Sequence, residues 1–356
     1  MSSSLVRVPK APEYNRIEQT LPDAYYNKDL TKKWRSPKDT FTDDLAAAIL
    51  RRESRFETRG PTLDESFSPL EAQNFGPVAR AKTPPPWIGT RQGAADNIAR
   101  TMTHILLTND DGIQAVGLRT LREAMEGLGT ISIVAPSREQ SGAAQSLTLR
   151  QPIVCHEVAE REWAIDGTPA DCVIVALHKL LPEPPDIVIS GINYGANLGE
   201  NAYYSGTVGA AREAALHHIP AVAMSLCSKK SGVDFKPAAR VARTAAELVL
   251  HEHLPDQVLL NINVPEPWAG GVRFTRQSKK ITRNQLSEGK DPRGRLYFWL
   301  FEQRINSDVA PDSDYHAIFA GDVSITPLHL DPTDDDAIQT LAGWAEKIAK
   351  QDFVKK

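Results

Sequence analysis

A chain of 356 residues that is 41% hydrophobic and 24% charged can bury a substantial core, as one large domain or two ordinary ones. Its formal net charge of −4 argues against a nucleic-acid polymer as partner, which asks for a basic excess, but leaves room for a small anion met by a bound cation. No apolar run reaches the roughly 18 residues of a membrane span, and the N-terminus lacks the basic and apolar stretches of a secretory signal.

The segment 1–101 is rich in Pro, Arg, Asp, Glu and Ser and is broken at Gly60-Pro61 and Pro84-Pro85-Pro86. Its one helical pattern, over 42–52, can be capped by Thr42 or Asp43 and lines Leu45, Ile49 and Leu50 along one face. A single such helix cannot offset the ordering entropy of the whole stretch. The segment is therefore expected to be a largely disordered extension, or a stretch ahead of a true start at Met102.

From Met102 onward, short apolar runs alternate with helical patterns. Strands are expected at 104–108, 131–135, 162–165, 186–190, 221–225 and 258–263, and helices at 118–128, 171–181, 207–217 and 237–251. That alternation predicts βαβ units, an α/β fold and a mostly parallel sheet. Beyond Gly270 the pattern turns extended, at 272–277, 295–302 and 322–327, before a closing helix over 333–350. Asp291-Pro292-Arg293-Gly294 is a turn signal between two strands. The expected organisation is a core over about 102–270, a β-rich arm over about 271–330 that pairs with a second subunit, and the C-terminal helix. The three cysteines, Cys155, Cys172 and Cys227, form no Cys-x-x-Cys pair. They are expected to be small buried residues of a cytoplasmic protein.

The strongest chemical signal is Thr108-Asn109-Asp110-Asp111-Gly112, directly after the first strand. Ligands of open parallel sheets bind beyond the carboxyl ends of the strands. Two adjacent carboxylates there cannot both be buried and ionised without a compensating cation, and hard oxygen ligands suit Mg²⁺, Mn²⁺ or Ca²⁺. Taken alone, the same residues also make an ordinary polar turn. Two more loops follow strands in the same way: Pro136-Ser137-Arg138-Glu139-Gln140-Ser141-Gly142 and Gly191-Ile192-Asn193-Tyr194-Gly195-Ala196-Asn197. Each offers a short oxygen-bearing side chain beside glycine, and three such loops on one sheet edge outweigh any one of them. The stretch 195–211, with Gly195, Gly199, Gly206 and Gly209 around Asn197, Asn201, Ser205 and Thr207, leads into a helix N-terminus able to take an anion. The glycines could equally serve close helix–sheet packing. Neither a Walker A nor a dinucleotide fingerprint is present.

These motifs together resemble the SurE family of 5′/3′-nucleotidases. Besides the three loops, the matching pieces are Asp166-Gly167-Thr168-Pro169-Ala170-Asp171-Cys172-Val173, Tyr204-Ser205-Gly206-Thr207-Val208, Asp291-Pro292-Arg293-Gly294 and Val323-Ser324-Ile325-Thr326-Pro327-Leu328, in the family's order. The resemblance implies a Rossmann-like three-layer core with a C-terminal hairpin arm exchanged between subunits of a homodimer or homotetramer. It also implies one divalent cation per subunit, Mg²⁺ or Mn²⁺, on Asp110, Asp111, Ser141 and Asn193. A phosphate pocket would be lined by Asn197, Ser205, Gly206 and Thr207, with Asp110, Asp111 and Asn197 as the catalytic set. The implied reaction is hydrolysis of nucleoside 5′- and 3′-monophosphates, and in some members of short polyphosphate. Either aspartate could take the proton of the attacking water, and His316 is a candidate acid for the leaving group. A binding-only nucleotide sensor on the same fold is the alternative, marked by a missing metal ligand.

Overall fold

The computed structural model describes residues 102–228, 230, 232–279, 282–304 and 309–349. The extension 1–101 and the helix expected at 42–52 lie outside the described residues.

Strand β1, His104–Thr108, is buried along its whole length, as its run of large aliphatic residues demands of a strand covered on both faces. It is followed by helix α1, Val116–Met125, and β2, Thr130–Pro136. Then come β3, Cys155–Ala159, β4, Glu162–Ile165, and α2, Pro169–Val175, opened by a Thr168/Asp171 capping box. A π-helical turn, Ala176–Leu180, extends α2, where one continuous helix was expected. Strand β5, Ile187–Tyr194, α3, Gly206–Leu216, β6, Ala221–Cys227, α4, Lys236–Glu252, and β7, Val258–Pro265, complete the alternating part.

Nine strands form one sheet in the order β3-β4-β2-β1-β5-β6-β7-β11-β8, where β8 is Val272–Phe274 and β11 is Val323–His329. The central strands run parallel, with β1 in register against both β2 (Ile105↔Ile131) and β5 (Ile105↔Ile187). Within this sheet, among the described residues, only β3 against β4 and β11 against β7 run antiparallel. Alternate residues of each strand point to opposite faces. One set, with Ile105, Leu107, Ile187, Ile189, Met224 and Ile262, packs into the main apolar cluster with residues of α1 and α4 such as Leu118, Leu121, Ala242 and Val249. The opposite face is covered by α2 and α3, which pack on each other. Two helical layers around a mostly parallel sheet are the expected α/β architecture.

The C-terminal third is rearranged relative to its sequence pattern. The extended stretches expected to belong to the arm divide: β8 and β11 extend the main sheet beyond β7. The separate two-stranded hairpin is β9, Thr282–Lys290, with β10, Leu296–Arg304. Its tip is the turn read from Asp291-Pro292-Arg293-Gly294, where Asp291 accepts from the Arg293 and Arg295 amides at 2.9 Å each. A short helix α5, Asp314–Phe319, and the closing helix α6, Asp335–Ala349, follow. The cysteine expectation is corrected at one position: Cys172 and Cys227 are buried, but Cys155 is exposed. It sits on the edge strand β3, all five of whose residues are exposed.

Candidate metal and phosphate site

The first two strands set where a ligand can go. From β1 the chain crosses to β2 on one side, while β5 lies against β1 on the other. Successive parallel strands are therefore added to opposite sides of β1, so the strand order reverses between β1 and β5, and open α/β sheets bind their ligands at such a switch point. Asp110 and Asp111 leave the carboxyl end of β1, and Asn193 stands at the end of β5.

The loop after β1 is shaped by its own residues. Asn109, fully buried, donates from Nδ2 to the Gly112 carbonyl at 2.9 Å and accepts from the Gly112 amide at 3.2 Å. Gly112 has φ +100°, a conformation that carries no steric cost only for glycine. The loop that bears Ser141 is stitched to this one, since the Gln140 amide donates to the Asp110 carbonyl at 2.7 Å. Further along, the Ala144 amide donates to the Tyr204 carbonyl at 3.1 Å, which brings the same loop against the approach to α3.

Asp110 is only 4% exposed, and its carboxylate faces the N-terminus of α3. The Thr207 hydroxyl donates to it, and the Gly206 and Thr207 amides add to its support. This close approach is why position 206 is glycine: a Cβ there would fall 2.8 Å from the Asp110 Cβ. Ser205 caps α3, its hydroxyl oxygen accepting from the Val208 amide at 3.1 Å. The helix N-terminus expected to serve an anion thus already turns its first amides toward the protein's own carboxylate. Asp111 is half-buried and accepts from the Tyr194 amide, next to Asn193, at 3.2 Å. Burial pushes the Asp110 carboxyl above its ordinary value, outweighing those hydrogen bonds. Burial and then the neighbouring Asp110 charge push Asp111 up to about 7.

Asn193 donates to the Gly195 carbonyl at 2.9 Å, and a shift in the β5–β6 register after Ser190 sets it opposite Ser225. Ser141 is exposed, with its hydroxyl donating to Glu139 at 2.8 Å. Asn197 is buried and held from four sides. Its amide donates to Asn263 Oδ1 at 2.8 Å, and its carbonyl accepts from Asn261 and Asn263 at 2.8 and 3.1 Å. Its Nδ2 donates to Ser225 Oγ at 2.9 Å, leaving a second amide hydrogen for another acceptor. Asn261, Asn263 and Ser225 escaped the sequence reading. Polar residues at alternate positions of otherwise apolar strands were the available signal. His316 lies half-buried on α5, its amide donating to Ser313 Oγ at 3.3 Å.

The donor set fits a divalent cation. The hydrogen bonds that Asp110 and Asp111 accept come from neutral donors, so their paired charge is left for a cation to balance. Beneath them Thr108 and Ser190, opposite each other in the β1–β5 ladder, carry buried hydroxyl oxygens with no hydrogen-bond partner. Among the described residues no group of three or more His, Cys, Asp or Glu could hold a metal, so a cation here draws on Ser and Asn oxygens beside the two carboxylates.

The family model for survival protein SurE matches residues 105–284, from β1 into β9. A 5′-nucleotidase SurE of Geotalea daltonii is 46% identical over 243 residues, covering 67% of this chain and 98% of the relative. The chain belongs to the SurE family. A 5′-nucleotidase SurE of Myxococcus xanthus is 44% identical over 247 residues, covering 67% of this chain and 92% of its own length. Among solved structures, the SurE protein of Aquifex aeolicus superposes with a TM-score of 0.61 at 36% identity, covering 68% of this chain and 99% of its own. The matched residues 105–284 include Asp110, Asp111, Ser141, Asn193, Asn197, Ser205, Gly206 and Thr207 but not His316. Among the described residues, no helix is long and apolar enough to cross a membrane.

Proposed function

We infer that this chain is a metal-dependent phosphomonoesterase that hydrolyses nucleoside 5′-monophosphates to nucleoside and inorganic phosphate. The observation that carries this reading is 46% identity to a 5′-nucleotidase across 98% of that relative's length. In our reading, one Mg²⁺ or Mn²⁺ per subunit is held by Asp110, Asp111, Ser141 and Asn193. Ser141 would turn its hydroxyl away from Glu139 to join that set. When bound, the cation supplies Lewis-acid charge to the phosphate and lowers the pKa of the attacking water.

The chain's own residues do the rest. Thr207 and the first amides of α3 fix Asp110, so that its orientation survives the loss or gain of charge in front of it. Asp111, tied by one backbone N–H, is the carboxylate better placed to take a proton from the attacking water. Asn197 directs its remaining amide hydrogen, and Ser205 its hydroxyl hydrogen, toward charge developing on the phosphate oxygens. The buried asparagines Asn261 and Asn263 hold the Asn197 peptide in place. Hydrolysis of 3′-monophosphates and short polyphosphate belongs to the same reading, as does a cytoplasmic location. So does a homodimer or homotetramer assembled through the apolar hairpin. The binding-only alternative needs a missing ligand, and all four positions hold oxygen donors.

The test is phosphate release from a panel of nucleoside 5′- and 3′-monophosphates and tripolyphosphate, after chelation and after adding back Mg²⁺ or Mn²⁺. Release from the 5′-monophosphates should depend on the added ion. Undiminished release in excess chelator, or none from any 5′-monophosphate, would overturn the reading.

A further inference from the structure

Strand β6 reads Ala221-Val222-Ala223-Met224-Ser225-Leu226-Cys227, and its single hydroxyl, on Ser225, is fully buried. Val222, Met224 and Leu226 join the main apolar cluster, so Ser225 points to the opposite face of the sheet, the one covered by α2 and α3. A hydroxyl taken out of water there is costly unless it is bonded, and alanine would fill nearly the same space. The sheet sets Ser225 between two asparagines, opposite Asn193 on β5 and opposite Asn263 on β7. Its hydrogen bond nevertheless goes to a third: Ser225 Oγ accepts from Asn197 Nδ2 at 2.9 Å. Three bonds with Asn261 and Asn263 fix the Asn197 peptide, but they leave its side chain undetermined. The terminal torsion of asparagine is broad and nearly two-fold. A held backbone therefore still lets the amide present either its oxygen or its nitrogen to a ligand.

We propose that Ser225 is a positioning residue of the hydrolase. By taking one amide hydrogen of Asn197, it turns the other toward the phosphate oxygens and keeps the amide oxygen, which would repel them, turned away. The proposal rests on the phosphatase reading above. Ser225 itself touches neither substrate nor cation. An oriented donor matters most where negative charge develops, so the loss of Ser225 is felt in kcat rather than in KM or in metal affinity.

The test is a double-mutant cycle. Phosphate release from adenosine 5′-monophosphate is measured for the wild type, Ser225→Ala, Asn197→Ala and the double variant. Ser225→Ala should lower kcat about tenfold with KM nearly unchanged, and should cost nothing further once residue 197 is alanine. Mn²⁺ affinity, titrated by electron paramagnetic resonance, should not change in Ser225→Ala. Calorimetric binding of orthovanadate, which imitates the transition state and needs no turnover, should weaken about tenfold in Ser225→Ala and no further in the Asn197→Ala background. Equal losses in both backgrounds would overturn the proposal. So would a weakened Mn²⁺ affinity, which would place Ser225 behind Asn193 instead. A wild type that hydrolyses no phosphomonoester would sink the phosphatase reading, and the cycle read on vanadate affinity would still decide the role of Ser225.

Discussion

The switch-point edge of the sheet and the C-terminal hairpin invert the usual relation between chemistry and burial, in opposite senses. At the edge, Asp110 is 4% exposed and Thr108 and Ser190 are fully buried, although burial of uncompensated polar groups is costly. On β10, Trp299 is 65% and Leu300 66% exposed, with Tyr297, Phe298 and Phe301 exposed beside them. Consecutive residues of a strand point to opposite faces, so β10 is apolar on both of its faces. Among the described residues each region is incomplete. The first lacks a positive charge, and the second lacks an apolar surface to cover it. What completes a region can be read from the sign of the imbalance: an ion where polar groups are inside, a protein where apolar groups are outside.

The largest expected effect breaks the first half of that comparison. Asp110→Asn and Asp111→Asn should each cut phosphate release by at least about 100-fold, since a lost ligand costs no less than a disturbed supporting contact. In the absence of metal, neither should lower the melting temperature, because each removes one of two adjacent buried charges. A variant that keeps a tenth of wild-type turnover, or that melts well below the metal-free wild type, would show that the carboxylates do something else.

The second prediction concerns the hairpin. Trp299→Glu combined with Leu300→Lys should shift the mass in light scattering toward that of the single chain, because charges on both faces oppose its burial in a subunit interface. An unchanged assembled mass would place the interface elsewhere. A wild type already monomeric would leave the exposed strand as an unpaired edge and remove the proposed assembly.

A smaller effect sharpens the electrostatic half. Asp111 is raised to about 7, by burial and then by Asp110, so the fold favours its protonated form. In metal-free protein that contribution is complete below the unfolded carboxyl value, about 4, and is lost as pH rises through about 7. Melting temperature should therefore fall across that window, and saturating Mg²⁺ or Mn²⁺ should flatten the fall. A metal-free protein whose stability rises steadily from pH 5 to 7.5 would contradict this.

The smallest effect lies on α3, away from both regions. Burial pushes the Glu213 carboxyl up, but hydrogen bonds from His217 and Gln145 outweigh it and hold the group below its usual range. The Gln145 bond is 2.8 Å long. Here the contribution is present above about pH 4.5, the ordinary Glu value, and is lost as pH falls through the lowered one. Glu213→Gln should cost about 1 kcal/mol at neutral pH, and the difference from wild type should vanish in acid. Thermal melts from pH 3 to 7 measure it, and a difference that persists unchanged at pH 3 would assign the loss to packing instead.

Much of the fold was legible along the chain. Runs such as Ile105-Leu106-Leu107 and Ile187-Val188-Ile189 can be accommodated only in covered strands, and the strands expected at 104–108 and 162–165 have those bounds in the structure. The helix expected at 207–217 begins and ends one residue earlier, where Ser205 caps it. Strand β3 went unseen because Cys155–Ala159 has neither an apolar run nor a buried face; it pairs antiparallel with β4. Helix α5 is too short to show a period, and its place is set by contacts with distant residues such as Leu198 and Cys227.

At the site the division is sharper. The sequence by itself determined the local pieces: adjacent carboxylates after a strand, glycine where the backbone needs a positive φ, and serine where a helix needs a cap. Each of these is a matter of a few bonded neighbours. Only the tertiary structure decided that Thr207 reaches Asp110 across 97 residues of chain, that Asn263 and Asn261 grip the Asn197 peptide, and that the α3 N-terminus faces a carboxylate of its own protein. Those pairings depend on which strands lie side by side. Strand order is set by burial summed over the whole sheet, which no short window of sequence contains.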